Sequence, residues 1–164
     1  MQARSIRSII VNHVEVDIAA PSEAVWRTIV EEYVDAKKFR ELGYVIEPLD
    51  HPGSLPGSYR MRLEQDNAIV DERDCYITEF DEHERRLSLY AEYLSAPNGM
   101  IVFATYHATD TPAGARYRLD CHSRLDIELD HDDPALAVSA MQARFDDAMT
   151  DYLQSVKARL ETGV

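Results

Sequence analysis

The segment from Val14 to Trp26 reads Val-Glu-Val-Asp-Ile-Ala-Ala-Pro-Ser-Glu-Ala-Val-Trp. Within it the spacing of the apolar residues changes from that of a strand to that of a helix. Residues 10–18 alternate between apolar and polar side chains, which is typical of a strand with one buried face. Ala20-Pro-Ser-Glu23 then offers a helix start, because proline is tolerated in the first turn and the helix dipole favours an acid there. The segment therefore predicts a strand that leads into a short helix, with a buried stripe of Val25, Trp26, Ile29 and Val30.

Beyond this segment, a second short helix is predicted at about Asp35 to Leu42, and the period changes to two from Tyr44 to about Leu129. Turn signals interrupt that stretch repeatedly, so it predicts consecutive antiparallel strands. The strands are expected near 44–49, 58–65, 69–80, 86–94, 100–109 and 115–127, with turns at His51-Pro-Gly53, Pro56-Gly57, Asp66-Asn67, Asp81-Glu-His83, Pro97-Asn-Gly99 and Pro112-Ala-Gly114.

The last segment predicts one long amphipathic helix. Asp133-Pro134 suits its first two positions, and apolar residues recur at steps of three and four until Gly163. About 28 helical residues at ~1.5 Å each span ~42 Å, so the helix must lie across the whole sheet. Its predicted buried stripe is Val138, Met141, Phe145, Ala148, Tyr152 and Val156.

Composition narrows the class of protein. The 164 residues fit a single domain over 1–164, and 17 basic against 30 acidic side chains leave a net charge of −13, which disfavours nucleic acid as a partner. No membrane span and no signal peptide are recognisable, so a soluble cytoplasmic protein is expected. Cys75 and Cys121 lie outside any metal-binding or disulfide pattern and are predicted to be buried free thiols.

The order of elements and several short motifs resemble a known superfamily. Residues 14–26 look like the opening of the START-like, or SRPBCC, superfamily, which includes polyketide cyclases and aromatases, plant Bet v 1-type proteins and lipid-transfer domains. Further similarities are Gly57-Ser-Tyr-Arg60, Ile77-Thr-Glu-Phe-Asp81 with Arg85-Arg86-Leu87, and Gly114-Ala-Arg-Tyr117. The resemblance covers nearly the full chain. It implies an α+β helix-grip fold, in which a curved antiparallel sheet of about seven strands wraps around the C-terminal helix, but it implies no particular activity.

By that analogy a cavity lies between the sheet and the long helix, so polar residues on inward faces are candidate site residues. The alternation turns four strand tyrosines inward, where phenol hydroxyls and flat rings suit an aromatic ligand. The alternative is that they are core or rim tyrosines bonded to backbone or water. The candidate ligand-binding residues are Asn12, Arg73, Tyr93, Tyr117, Cys121 and Phe145, and the candidate catalytic residues are Asp71, Tyr59 and Tyr106.

Asp71 and Arg73 are the most unusual of these, because their strand face also carries Ile69, Cys75 and Ile77. Charged groups inside a cavity are costly unless they are paired. An inward Arg73 could bind a ligand carboxylate, and Asp71 could act as a general base. A β-bulge or a one-residue register slip would instead turn both outward and bring Glu72 or Asp74 inside.

These residues support two functions from different classes. The first is a binding or carrier domain for a small hydrophobic molecule, aromatic or polyketide-like. The second is a cofactor-independent cyclase, dehydratase or lyase that uses the same cavity, with Asp71 as base, Tyr59, Tyr93 or Tyr106 as proton donor and Arg73 as anchor. A partner-binding module is a weaker third, because no large exposed apolar patch is recognisable in the sequence. Neither a cofactor nor a metal ion is expected, and a homodimer is left open.

Overall fold

Seven strands and three helices make up most of the chain that the structure describes. The computed structural model covers residues 4–50, 55, 57–129 and 133–163. The predicted turns at 51–54 and Pro56 lie outside the described residues. The elements are β1 (Ser5–Ile18), α1 (Ser22–Tyr33), α2 (Lys37–Glu41), β2 (Val45–Pro48), β3 (Tyr59–Gln65), β4 (Ala68–Asp81), β5 (Arg86–Tyr93), β6 (Ile101–Thr111), β7 (Gly114–Glu128) and α3 (Pro134–Thr162).

All seven strands form one antiparallel sheet in the order β1-β7-β6-β5-β4-β3-β2. The first strand pairs with the last over its whole length, from Ser5 opposite Glu128 to Ile18 opposite Ala115. It begins five residues before the predicted start, because 5–9 extend the pairing along the end of β7. The α+β helix-grip architecture expected from the sequence is confirmed.

Two bulges interrupt β4, and their positions decide which of its side chains face inward. One shifts the pairing with β3 at Val70, and the other shifts the pairing with β5 at Thr78. Residues 71–77 lie between them and keep one alternation, so Asp71 and Arg73 share the face of the buried Cys75 and Ile77. The register slip considered for this strand therefore does not turn the pair outward.

The hydrophobic core lies on one face of the sheet, which we call the inner face. Helix α1 packs there over β6 and β7, and α3 packs mainly over β1. Alternate residues of the strands point into this core, as the period of two predicts. Its fully buried members include Ile18, Val25, Ile29, Met61, Ile77, Leu87, Tyr117, Leu153 and Val156.

Helix α3 runs for 29 residues, with an N-cap at Asp133, whose carboxylate accepts a hydrogen bond from the Ala135 amide at 2.9 Å. Only Leu153 and Val156 on it are buried. The N-terminal half rests instead on a smaller cluster around Ile10, Leu125 and Ile127. None of the helices in the described ranges is long and apolar enough to cross a membrane.

Candidate ligand-binding cavity

A cavity of about 300 Å³ lies between the inner face of β5, β6 and β7 on one side and helices α1 and α3 on the other. This volume is at the small end of the range for sites that bind small molecules. The wall is mostly apolar, with phenol hydroxyls, one thiol and one serine as its polar groups. It consists of Tyr33, Tyr93, Met100, Val102, Ala104, Tyr106, Leu119, Cys121, Ser123, Phe145, Ala148, Met149 and Tyr152.

Two tyrosine rings of the wall stack on each other. The rings of Tyr33 on α1 and Tyr106 on β6 stack with their centroids 4.1 Å apart. Burial raises the pKa of both phenols and raises that of Tyr106 well above its ordinary value. Both hydroxyls therefore stay protonated at neutral pH, where they can donate hydrogen bonds but cannot act as bases.

A buried carboxylate fixes the tyrosine of α3. Glu32 on α1 is only 5% exposed, and it accepts hydrogen bonds from the Tyr152 hydroxyl and from Arg159 Nη2, the latter at 2.9 Å. The Tyr152 hydroxyl also lies 3.4 Å from that of Tyr117. A buried carboxylate is tolerated only when it is paired in this way. The contacts join α1, α3 and β7 at one end of the cavity and hold the Tyr152 ring in place.

An ion pair lies beside the cavity at Tyr93. The guanidinium of Arg73 donates to both carboxylate oxygens of Asp71, from Nε at 3.1 Å and from Nη2. Its central carbon lies 4.4 Å from the ring centroid of Tyr93, close enough for a cation–π contact. Tyr93 is thus the residue that the ion pair and the cavity wall have in common.

The environment of Asp71 makes it a weak base. Burial by itself would raise the pKa of this carboxyl group, but hydrogen bonds from Arg73 and from the Tyr44 hydroxyl, at 2.6 Å, outweigh burial and leave the pKa below its ordinary value. Asp71 is therefore ionised at neutral pH and binds protons poorly. Its main effect is to hold and partly neutralise Arg73.

Asn12 supplies a polar group under α3. Its amide nitrogen donates to the carboxylate of Asp146 at 2.7 Å, and the side chain is 2% exposed. The amide oxygen is buried and has no hydrogen-bond partner among the described residues. Asn12 stands opposite Cys121 of the cavity wall in the β1–β7 pairing. A hydrogen-bond acceptor is therefore available next to the wall.

Both cysteines are buried and free, as predicted. Burial raises the pKa of Cys75 to about 12 and also raises the pKa of Cys121. The thiol of Cys121 lies 3.6 Å from the hydroxyl of Ser123. These protonated thiols are therefore poor nucleophiles, and Cys121 contributes apolar surface to the cavity.

Comparison with known proteins relates the whole fold to solved structures. No protein-family model and no curated protein matches the sequence. The structure of Ara h 8.0201 matches with a TM-score of 0.58 at 12% identity, over 90% of this chain and 99% of the other. The ZhuI aromatase/cyclase from Streptomyces sp. R1128 gives 0.53 at 16% identity, over 94% and 95%. Norcoclaurine synthase from Thalictrum flavum gives 0.51 at 12% identity, over 74% and 71%.

The chain has the START-like fold. At these identities the likeness concerns the arrangement of the backbone and carries no activity from one protein to another. The second short helix of this fold presents Phe39, whose ring packs edge-on against Tyr44 with 5.6 Å between centroids. Phe39 also lies 6.0 Å from the guanidinium carbon of Arg73, so α2 covers the ion pair.

The cavity wall brings together four of the nine residues that the sequence singled out, namely Tyr93, Tyr106, Cys121 and Phe145. Tyr59 and Tyr117 are buried behind the wall, so for these two the alternative of core tyrosines describes their position better. The remaining three lie next to the wall, with Asp71 and Arg73 beside Tyr93 and Asn12 opposite Cys121.

Sequence reasoning missed the two helical tyrosines of the cavity wall, Tyr33 and Tyr152. Both belong to helices, whereas the search for polar site residues followed the strands. A signal was present, because Tyr33 lies four residues after the buried Ile29 and Tyr152 lies on the apolar stripe of α3. A tyrosine on a buried helical stripe reads as a core residue, although its hydroxyl gives it a second use.

Proposed function

We propose that this chain binds a small aromatic, polyketide-like molecule in the cavity between sheet and C-terminal helix. The observation that carries the proposal is the wall itself, an apolar space of about 300 Å³ bounded by four tyrosine rings. Flat walls favour flat ligands, and protonated hydroxyls favour ligands with oxygen acceptors. The resemblance to a solved aromatase/cyclase structure supports the same class of ligand.

The size of the cavity sets the size of the ligand. Because the volume is at the small end for such sites, a ligand of one or two fused rings fits better than a long acyl chain or a steroid. Ser123 and the phenol hydroxyls of the wall are the available partners for a ligand hydroxyl. Arg73 is the nearest cation for an acidic group at the Tyr93 end.

Filling the cavity is expected to abolish binding of such a ligand. A phenyl ring in Cys121→Phe would occupy the space that a ligand ring needs, so the affinity for 1-naphthol should fall by about 100-fold. The measurement is a titration of 1-naphthol followed by its fluorescence. Leu136→Phe is the matched control, because Leu136 is 61% exposed and lies outside this cavity. Equal affinities for wild type and Cys121→Phe would refute the proposed site.

Arg73 is expected to distinguish acidic from neutral ligands. Arg73→Gln removes a charge-assisted hydrogen bond and should weaken 1-naphthoate by about tenfold while leaving 1-naphthol unchanged. Asp71→Asn removes the competing carboxylate and should strengthen 1-naphthoate. Arg118→Gln, which changes an exposed arginine paired with Asp120, is the control. An Arg73→Gln variant that loses both ligands equally would show a structural role instead.

A cofactor-independent cyclase, dehydratase or lyase is the second candidate. Its support is the set of phenol hydroxyls around the cavity, which can donate hydrogen bonds to an oxyanion. Burial raises the pKa of Tyr106 well above its ordinary value, so Tyr106 suits oxyanion stabilisation better than proton transfer. Asp71 is the weak point of this candidate because its pKa is lowered. Mass spectrometry of aromatic ligands after incubation separates the two functions, since a carrier returns its ligand unchanged.

A further inference from the structure

Five side chains form a continuous row on the outer face of the sheet, the face opposite the helices. The pairing sets Tyr76, Tyr90, Phe103, His122 and Val11 side by side across β4, β5, β6, β7 and β1. The ring centroids of Tyr90 and Phe103 are 4.8 Å apart, and those of Tyr76 and Tyr90 are 5.8 Å apart. We call this set the outer row.

The outer row is exposed although it is largely apolar. Phe103 is 54% exposed and Val11 is 48% exposed. Ile9, two residues before Val11 on β1, is 60% exposed. An antiparallel sheet normally turns polar side chains to water on its uncovered face. The helices pack on the inner face, so no described element covers this row. The sequence shows no such patch, because the row exists only once the register joins residues from five strands.

Beside the outer row, an acidic and a basic side chain lie on opposite sides of β6. Two residues further along each strand, a second row on the same face contains Glu92 on β5, Ile101 on β6 and Arg124 on β7. The other outer arginines of β7 are ion-paired, Arg116 with Asp17 and Arg118 with Asp120. Arg124 has no ion pair within the described ranges of the chain. One acid and one unpaired base therefore flank β6 at the same distance on opposite sides.

We propose that a second copy of this chain packs on the outer row, about a two-fold axis parallel to β6. Rotation about this axis keeps the position along a strand and reverses the order of the strands. Phe103 then meets the partner's Phe103, and Tyr90 meets the partner's His122. Glu92 faces the partner's Arg124, and the symmetry makes this ion pair twice. The arrangement covers the exposed aromatic rings and gives Arg124 a carboxylate.

The size of the contact makes this a weak dimer. Five strands spaced ~4.8 Å apart and two rows spaced ~6.8 Å apart give a patch of about 330 Å² in projection, well below the ~800 Å² per partner of a standard interface. Sheets that pack face to face align their strands within about 30°, which suits an axis along β6. We expect a dissociation constant on the order of 10–100 µM.

A charge exchange tests the contact and its geometry together. Sedimentation equilibrium of the full chain, from about 5 to about 500 µM, should show a reversible monomer–dimer equilibrium. Glu92→Arg alone and Arg124→Glu alone should each weaken the dimer by about 100-fold, because each places like charges opposite one another twice. The double variant Glu92→Arg/Arg124→Glu should restore the dimer to within about threefold of wild type.

Phe103→Ser should also weaken the dimer by about 100-fold, since it removes the ring at the centre of the contact. Leu136→Ser is the control, because Leu136 is equally exposed but lies on α3. Thermal unfolding checks that each variant is folded. A wild-type chain that stays monomeric throughout, or a double variant that remains as weak as the single ones, would overturn the proposal.

Discussion

Replacing Gly114 with alanine is expected to lower the free energy of unfolding by about 4 kcal/mol, a loss that few single changes produce. A Cβ atom at this position would lie 2.3 Å from the carbonyl oxygen of Ile18 and 2.9 Å from the backbone nitrogen and oxygen of Ala20. These are backbone atoms, so no side-chain rotation relieves the clash. The φ of +145° adds a conformation that residues other than glycine rarely adopt.

Gly99→Ala is the matched control for this effect. Gly99 also has a positive φ, of +61°, but a Cβ there would meet nothing within 4 Å. Its expected cost is about 1 kcal/mol, from backbone strain alone. Urea denaturation of both variants measures the difference. Equal losses would show that the end of β1 can move away from the β6–β7 turn, contrary to the packing described.

Leu153→Ala is expected to cost about 3 kcal/mol, because it opens a cavity where α3 meets the main core. Leu153 is 1% exposed and is one of the two buried residues on this helix. Leu136→Ala on the same helix is the control, with an expected change within about 0.5 kcal/mol, since Leu136 is 61% exposed. Thermal and urea unfolding of the pair measure both values. Similar losses in the free energy of unfolding would mean that α3 is packed against the rest of the protein along its whole length.

The arrangement of the elements was predictable because local patterns encode it. Alternation over 10–18 reports which face of β1 is buried, and the structure has that face. The apolar steps of the last segment correctly predict one long helix, but its predicted stripe was inaccurate, since only Val156 of the six is buried, Ala148 is exposed and the buried Leu153 was not among them. The boundaries were less accurate. Helix α2 is confined to Lys37–Glu41, because Ala36 before it adopts a left-handed conformation, whereas its pattern extended from Asp35 to Leu42.

The site was less predictable than the fold, because it depends on which elements meet. Alternation placed Asp71 and Arg73 on the inner face, but it could not show that the bulges at Val70 and Thr78 fall outside 71–77 and leave this alternation intact. Nothing near Asp71 in the sequence indicates that Tyr44 donates a hydrogen bond to it, and this contact helps to lower its pKa. The outer row is a further case, since its five members are spread between Val11 and His122.

The pairing of the first strand with the last has a consequence for how the chain folds. Closing β1 onto β7 joins segments about 100 residues apart, and loops of that length are entropically costly to close. Hairpins between successive strands from β3 to β7 need no such closure and can form locally. Strand β1 is synthesised before its partner β7 and is therefore among the last strands to be ordered. Until β7 emerges, its alternating valines and isoleucines remain exposed to aggregation and to chaperones.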